Sequence, residues 1–360
     1  MRRRILMGGK KINPYAGEYL TFKAITASKF SFYGCTVEDI TNELQYSLNN
    51  GRTWVNLSNN TYTPLISAGG SILFKGNCVQ ATSYGFGQCG IGVFQGDGEW
   101  SIEGNIMSLV LGDNFKDAED FSTTPINSGF TIFYMLFHSC SGLKNAENLY
   151  LPAKMTFGDN LCYCMMFDGC TNLVKPPELP SQTLAQNCYQ SMFSGCTSLT
   201  TVPKLPATTL ADDCYSNMFN GCTSLTTVPS NLLPATTLAY GCYTGMFYGC
   251  TSLTTAPELP ATTLYGGCYR EMFYGCTSLT TAPELPATTL AQQCCIQMFY
   301  RCTSLNYIKC LATNITATSC TTYWVNGVAS SGTFVKAASM SSWTTGASGI
   351  PSGWTVQDAS

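Results

Sequence analysis

Charge is the scarcest resource in this chain of 360 residues: Asp, Glu, Lys and Arg together make up 11%, less than half of the roughly 25% usual in soluble domains. The formal charge is −3 with a pI near 5.2, which argues against a nucleic-acid or anionic-membrane partner, since both require a basic face. Histidine is scarcer still. His138 is the only one, so His-ligated metal sites are nearly excluded and a Ser/His/Asp triad would depend on a single position. No stretch approaches the run of about 18 apolar residues that a membrane-spanning helix needs. The N-terminus MRRRILMGGKK starts like a signal peptide, but its apolar run is Ile5, Leu6 and Met7 only. A region of about 7 to 15 such residues is required, so residues 1–17 are expected to form a basic flexible arm and no general secretory signal is expected.

What the chain has in abundance is repetition. The block from Cys242 to Pro260, CYTGMFYGCTSLTTAPELP, returns from Cys268 to Pro286 as CYREMFYGCTSLTTAPELP. The markers Phe137, Phe167, Phe193, Phe219, Phe247, Phe273 and Phe299 are spaced 30, 26, 26, 28, 26 and 26. The 28-residue step adds two residues at Asn231–Leu233, and a degraded eighth copy follows with Cys320 and Trp324. A fixed period of this size means a stack of units, none of which buries its own apolar face.

Within a unit, Leu264, Cys268 and Met272 stand at i, i+4 and i+8 after Thr262 and Thr263, the pattern of one face of a capped short helix. Gly249 and Gly275 suit its left-handed stop. The following Leu-Thr-Thr-Ala reads as a short strand ended by proline. One strand and one helix per unit is the leucine-rich-repeat arrangement. Strands stack about 4.8 Å apart and helices are about 10 Å across, so the array is expected to bend into an arc with the strands inside.

The run M-F-x-G-C-T-S-L-T-x-x-P-x-L-P, from Met192 to Leu305, resembles the BspA-like leucine-rich repeats of bacterial surface proteins, over roughly residues 131–330. The resemblance implies a leucine-rich-repeat fold and an adhesive role. Similar repeats occur in virion proteins encoded by phages of intestinal bacteria. A virion component made in the cytosol needs no export signal, whereas a surface adhesin does.

Of the 20 cysteines, twelve form pairs at C-x7-C spacing: 162/170, 188/196, 214/222, 242/250, 268/276 and 294/302. Eight helical residues span about 12 Å, beyond the roughly 7 Å that a disulfide tolerates between Cα atoms. The expectation is a reduced, buried column of thiols, ahead of partial disulfide formation and of a metal site, which would want C-x2-C spacing. Cys164, Cys295 and Cys310 fall outside the columns and are candidates for exposure, with ordinary packing as the plainer reading.

Residues 18–115 change period to two. Leu20, Phe22 and Ala24, then Phe30 and Phe32, then Leu44, Tyr46 and Leu48 alternate with polar neighbours, and QYSLNNGRTWVNL reads as a hairpin with Asn49, Asn50 and Gly51 at its tip. Ser47–Trp54 resembles the Asp-box hairpin of sialidases and other propellers, with Asn49 where the Asp belongs; there the motif is a structural turn. The expected architecture is therefore multidomain: an N-terminal all-β sandwich or jelly-roll-like domain (18–115), a linker (116–130), an α/β leucine-rich-repeat solenoid of seven to eight units (131–328) and a C-terminal cap (329–360).

On the inner face the repeat should present Thr201, Thr227, Thr255 and Thr281, rimmed by Glu178, Lys204, Glu258 and Glu284. This sparsely charged, hydroxyl-rich surface suits a cell-surface glycan or a protein receptor, although repeated threonines are also simply good strand formers. Tyr189, Tyr215, Tyr243 and Tyr269, and separately Tyr248, Tyr274 and Tyr300, are expected to close gaps between helices half-buried, with glycan stacking as the alternative. No catalytic set is gathered. His138 and Cys140 lie in the capping unit, Asp212 and Asp213 sit where a helix should start, and Gly85, Gly87 and Gly90 lack the helix that phosphate binding requires. No cofactor or metal is expected.

The functional expectation is a non-enzymatic recognition protein, a virion fibre, decoration or receptor-binding component. Its N-terminal domain would meet other virion proteins or self-associate. A bacterial surface adhesin is the first alternative and an exported glycan hydrolase the second.

Overall fold

The computed structural model describes residues 15–34, 43–78, 91–118, 132–152, 162–341 and 343–360. Most of the expected basic arm and linker, and the loop with Gly85, Gly87 and Gly90, lie outside the described residues.

The alternating segments form strands as the period-two pattern requires: β1 (Leu20–Ala24), β2 (Phe30–Gly34), β3 (Leu44–Ser47), β4 (Val55–Asn56), β5 (Ser71–Gly76), β6 (Gly92–Gly96) and β7 (Trp100–Asn105). A single helical turn, α1 (Ser108–Leu111), follows. Strands β4, β3, β5, β1 and β7 make an antiparallel sheet, and β2 and β6 make a second, two-stranded one. The sheets meet through aromatic rings. Phe22 of β1 lies 5.2 Å from Phe30, 4.9 Å from Phe94 and 4.6 Å from Trp100 between ring centroids, and all four are fully buried. The hairpin tip is where it was expected: Asn50 and Gly51 both have positive φ (57° and 79°), as a two-residue primed turn demands. Ser47 Oγ accepts the Gly51 N–H at 2.9 Å and Asn49 Oδ1 accepts the Thr53 N–H at 2.9 Å, so the Asp-box-like residues hold a turn.

The sheet does not end at β7. Strand β8 (Leu143–Tyr150), the first strand of the repeat region, joins it in parallel as the sixth strand. Buried apolar residues from Leu20 to Trp354 form one cluster. Phe94 stacks on Phe137 at 5.9 Å, and Phe137 on Phe167 at 5.4 Å. The β region thus covers the first coil of the array.

The expected helix of each unit does not form. Three successive tight turns take its place. In one coil Cys188, Met192 and Cys196 donate their N–H groups three residues back, to the carbonyls of Ala185, Tyr189 and Phe193. The third residue of each turn, Asn187, Ser191 and Gly195, has φ of 56°, 52° and 69°, the signature of type II turns. The amides in between leave the coil: Tyr189, Ser191, Phe193 and Gly195 donate to the carbonyls of Cys214, Ser216, Met218 and Asn220 of the next coil at 3.0, 2.8, 3.0 and 2.7 Å. Turns four residues long place apolar side chains at i, i+4 and i+8 just as a helix does, which is why the spacing alone suggests a helix. The left-handed positions are filled by Gly, Asn, Asp, Ser, long unbranched side chains such as Glu271 and Gln297, and in the last coil Tyr323. Among the described residues no β-branched residue occupies one, as the steric cost requires.

Nor do most of the expected strands form. The Leu-Thr-Thr segments make scattered cross-coil contacts, such as the bridge between Thr281 and Tyr307 and the bond from Thr254 N to Thr226 O at 2.9 Å. Prolines 203, 206, 229, 234, 257, 260, 283 and 286 remove the donors that a continuous ladder needs. The coil in which proline is absent, at Asn306–Ala312, forms β9 (Tyr307–Cys310), paired in parallel with β10 (Thr333–Lys336) and then β11 (Thr355–Asp358). With cross-coil bonds on the side expected to hold wide helices, the ground for a horseshoe with a concave strand face is gone.

The interior is a set of columns. The Phe ladder runs from Phe137 to Phe299 with centroids 5.4–5.8 Å apart. A second ladder holds Tyr163, Tyr189, Tyr215, Tyr243 and Tyr269 at 5.7–6.2 Å; the last four are fully buried, deeper than the half-buried placement expected of them. Each such pair adds about 0.5–1.5 kcal/mol beyond burial. At the far end Trp324 donates Nε1–H to Gly349 O at 2.8 Å and Trp354 to Ala329 O at 2.7 Å, and Trp343 stacks on Trp324 at 5.6 Å. This closes the core at the expected C-terminal cap.

The 18 described cysteines are all buried. Cys164, Cys295 and Cys310 are at 1%, 0% and 0%, which is the ordinary packing and not the exposure. The second thiol of each pair is more than an apolar filler. Cys196, Cys222, Cys250, Cys276 and Cys302 each donate Sγ–H to the carbonyl of the ladder Phe one coil back, at 2.9–3.2 Å. That carbonyl also accepts the N–H that closes its own turn, so both its lone pairs are used.

Two predictions follow from this architecture. Glu271→Gly and Gln297→Gly, at positions with φ of 56° and 51°, should leave stability unchanged or raise it by at most about 1 kcal/mol, because glycine relieves left-handed strain. In a helix the same changes would cost about 1 kcal/mol, so chemical denaturation of the two variants distinguishes the geometries by sign. Burial pushes the thiols of Cys250, Cys302 and Cys310 from an ordinary 9.0 up to about 12. Groups with raised folded values bind protons more tightly when folded. Their stabilisation is complete below pH 9 and is lost as pH rises from 9 towards 12. The thermal midpoint should fall steeply across that window, and a thiol reagent at pH 8 should modify the 18 described cysteines only after unfolding.

Candidate functional site

Thr201, Thr227, Thr255 and Thr281 are all exposed, as are Glu178, Lys204, Glu258 and Glu284. The threonines stand at equivalent positions between the Leu column and the first proline of each coil, and the charged residues directly after a proline, so the period brings them into surface columns without a regular strand beneath them. The backbone there is tied across coils at few points. Glu258 donates its N–H to Ser230 O at 2.8 Å, and Thr281 bridges to Tyr307. Neighbouring threonines spend their hydroxyls on the array: Thr197, Thr254 and Thr277 donate Oγ1–H to Thr171, Thr226 and Thr251 carbonyls at 3.1, 3.0 and 3.2 Å.

The sparse charges of the array pair from coil to coil. Glu284 meets Lys309 at 3.0 Å, and Glu147 meets Lys175 at 3.0 Å. Hydrogen bonding from Asn145, reinforced by Lys175, holds the Glu147 carboxyl below the usual carboxylate range. Lys144 pairs with Glu99 at 3.0 Å across the junction with the β region. Exposed pairs of this kind contribute about 0–1 kcal/mol each, so they align a surface more than they stabilise it.

The turn side carries its own columns. The second residue of the third turn reads His138, Asp168, Ser194, Asn220, Tyr248, Tyr274 and Tyr300 from coil to coil. His138 Nε2 lies 3.2 Å from Asp168 Oδ2, a pairing of adjacent coils that the sequence does not reveal without knowledge of the register. Tyr248, Tyr274 and Tyr300 are half-buried and stacked at 4.4 and 4.8 Å, with the Arg301 guanidinium 5.5 Å from the Tyr300 ring. Their faces are turned to one another, at interplanar angles of 10° and 15°.

In the first turn the second-position column reads Gln186, Asp212, Tyr240, Gly266 and Gln292. Asp212 is exposed and accepts the Tyr240 N–H at 3.0 Å. The expected helix start at Asp212 and Asp213 is a tight turn instead, with Asp213 itself left-handed. Burial, and then the Asp212 charge, push the Asp213 carboxyl up. Tyr240 and Tyr265, at 47% and 58% exposure, are the large open aromatics of this side together with Tyr323. The sequence reading missed them because it followed the columns that repeat, and these two residues break theirs.

Among the described residues no group of three or more His, Cys, Asp or Glu side chains is arranged to hold a metal ion, and no helix is long and apolar enough to cross a membrane. Set against protein-family models, curated proteins and solved structures, the chain matches none of them.

Proposed function

We propose that the chain is a non-enzymatic recognition protein that displays its repeat array to a cell-surface glycan or protein receptor, as a virion fibre, decoration or receptor-binding component. In this reading the two N-terminal sheets are a sandwich that attaches the molecule to other virion proteins or to its own copies. The array is a leucine-rich-repeat solenoid in which a ribbon of turns stands in for the helix; its leucine column, Leu173, Leu199, Leu225, Leu253, Leu279 and Leu305, is fully buried. The observation that carries the reading is the separation of roles within each coil. Interior columns repeat nearly unchanged and hold the stack together, while exposed columns present the same hydroxyl-bearing group again and again along one surface. A regular, weakly charged surface meets an extended ligand at several coils at once, so that individually weak contacts add. The resemblance of the repeat to those of bacterial surface and phage virion proteins supports display. A bacterial adhesin remains the runner-up and shares the same surface.

The test is binding of the full chain to isolated cell-envelope polysaccharide and protein fractions. Replacing Thr201, Thr227, Thr255 and Thr281 together by Ala should weaken retention about tenfold or more. The thermal midpoint should move little, since exposed substitutions usually stay within about 0.5 kcal/mol each. Failure of the chain to bind any envelope fraction would remove the reading, and antibody labelling of purified virions separates the virion component from the adhesin.

A further inference from the structure

The array repeats so closely that departures from it stand out. The first residue of the first turn is Ala at 185, 211, 239, 291 and 317, but Tyr at 265; the second is polar at Gln186, Asp212, Gln292 and Thr318, but Tyr at 240 and Gly at 266. The three departures are neighbours in adjacent coils, and they fit one another. A Cβ on Gly266 would lie 3.2 Å from Cδ2 and from Cε2 of Tyr240, tighter than ordinary van der Waals contact. The Tyr240 ring therefore rests on bare backbone of the next coil, in space that a side chain at 266 would claim. It remains 47% exposed, and Tyr265 beside Gly266 is 58% exposed. A tyrosine sequestered for packing would resemble Tyr243 or Tyr269, at 2% and 1%.

From this geometry we infer that Tyr240 and Tyr265 form a stacking platform for an uncharged sugar of a glycan chain. The inference rests on the recognition reading above and names both a ligand class and a second face for it. An open aromatic face with a polar hydroxyl rim suits a ligand that is apolar on its ring faces and hydroxylated around its edge. The groups on either side supply the polar partners. The Asp212 carboxylate lies on the coil before Tyr240, and the exposed Gln292 amide stands one coil beyond Gly266 in the same column. A carboxylate accepts hydrogen bonds from sugar hydroxyls, and an amide both donates and accepts. The charge of the locality selects among ligands. Asp212 and Asp213 sit together beside the platform, and each raises the cost of bringing an anion there. Acidic sugars and phosphorylated polymers are therefore disfavoured, and neutral ones are not.

The experiment uses the full chain and immobilised neutral oligosaccharides built from glucose, galactose, mannose and N-acetylglucosamine, with sialylated and phosphorylated glycans alongside. The expected result is retention by at least one neutral glycan. Retention should fall about tenfold or more for Tyr240→Ala, for Tyr265→Ala and for Gly266→Leu, which lifts the ring. Tyr62→Ala, an equally exposed tyrosine of the β region, should bind as the unaltered chain does. Bound glycan should also protect Tyr240 and Tyr265 from nitration by tetranitromethane, a readout that does not depend on any variant folding. If the tyrosine variants bind normally while the threonine-face variant does not, the platform is refuted and the recognition reading stands. Preference for anionic glycans, or binding to envelope protein alone, refutes the platform as well. If no glycan and no envelope fraction binds, both readings fall together.

Discussion

Every second amide of the turn ribbon points out of its own coil, and the whole array depends on where those amides go. An amide buried without a partner costs about as much as a lost hydrogen bond. A lone coil therefore leaves a row of unsatisfied donors on one side and unsatisfied carbonyls on the other. Stacking satisfies both rows at once, in register, because the N–H of Tyr189 finds Cys214 O only when Ser191 finds Ser216 O and Phe193 finds Met218 O. The same register brings Phe onto Phe and Tyr onto Tyr. It also carries each second-column thiol to the Phe carbonyl behind it. Backbone satisfaction and side-chain columns thus specify one arrangement, which is the consistency across levels that a well-defined native state requires.

Much of this is legible in the residues, and what is not has a definite cause. The 26-residue period, the buried thiols and the tip of the Asn50–Gly51 hairpin can be read directly, because each depends on spacing or on a local rule. The helix cannot be told from the ribbon by the apolar positions, since a four-residue turn and a 3.6-residue helical turn diverge by little over three repeats. A better signal was present in the residues between them. Asn187, Asp213, Asn217, Gly241, Gly245 and Gly267 recur where a helix would favour Ala or Leu, and their shared trait is tolerance of positive φ. The strands failed for a reason also visible in the sequence: prolines placed in the middle of a would-be ladder argue against the ladder. Of the candidate site, exposure of the threonine columns was legible, but the pairings of His138 with Asp168 and of Tyr240 with Gly266 depend on the register between coils. Only the structure supplies that.

The closure of the stack at both ends follows from the same need. A first coil with nothing beneath it would expose the start of the Phe ladder, and here Phe94 of β6 covers Phe137. Strand β7 takes up the edge of β8. At the other end Trp324, Trp343 and Trp354 cover the last ladder residue and its surroundings, with the indole N–H groups of Trp324 and Trp354 donated to backbone carbonyls. The buried residues of the N-terminal region therefore belong to the same continuous core as the ladders of the array.

Length variation sorts the two halves of each coil by the same physics. Between Cys188 and Cys196, and between every later pair, the spacing never departs from seven intervening residues. One extra residue would exchange the amides that close turns with those that reach the next coil, and every donor beyond it would lose its acceptor. The two residues added around Asn231 and Leu232 fall in the proline-containing half instead. There few amides are engaged across coils, Leu232 donates its N–H locally to Pro229 O at 3.1 Å, and the Leu232 and Leu233 side chains are buried. The ribbon holds the register, so the opposite side is free to vary in length and chemistry. On the ribbon itself, freedom is confined to the residues whose side chains leave the core. A change from polar side chains to Tyr240, Tyr265 and Gly266 at those positions alters the surface without touching the ladder beneath, and the ladder gives no reason for the change.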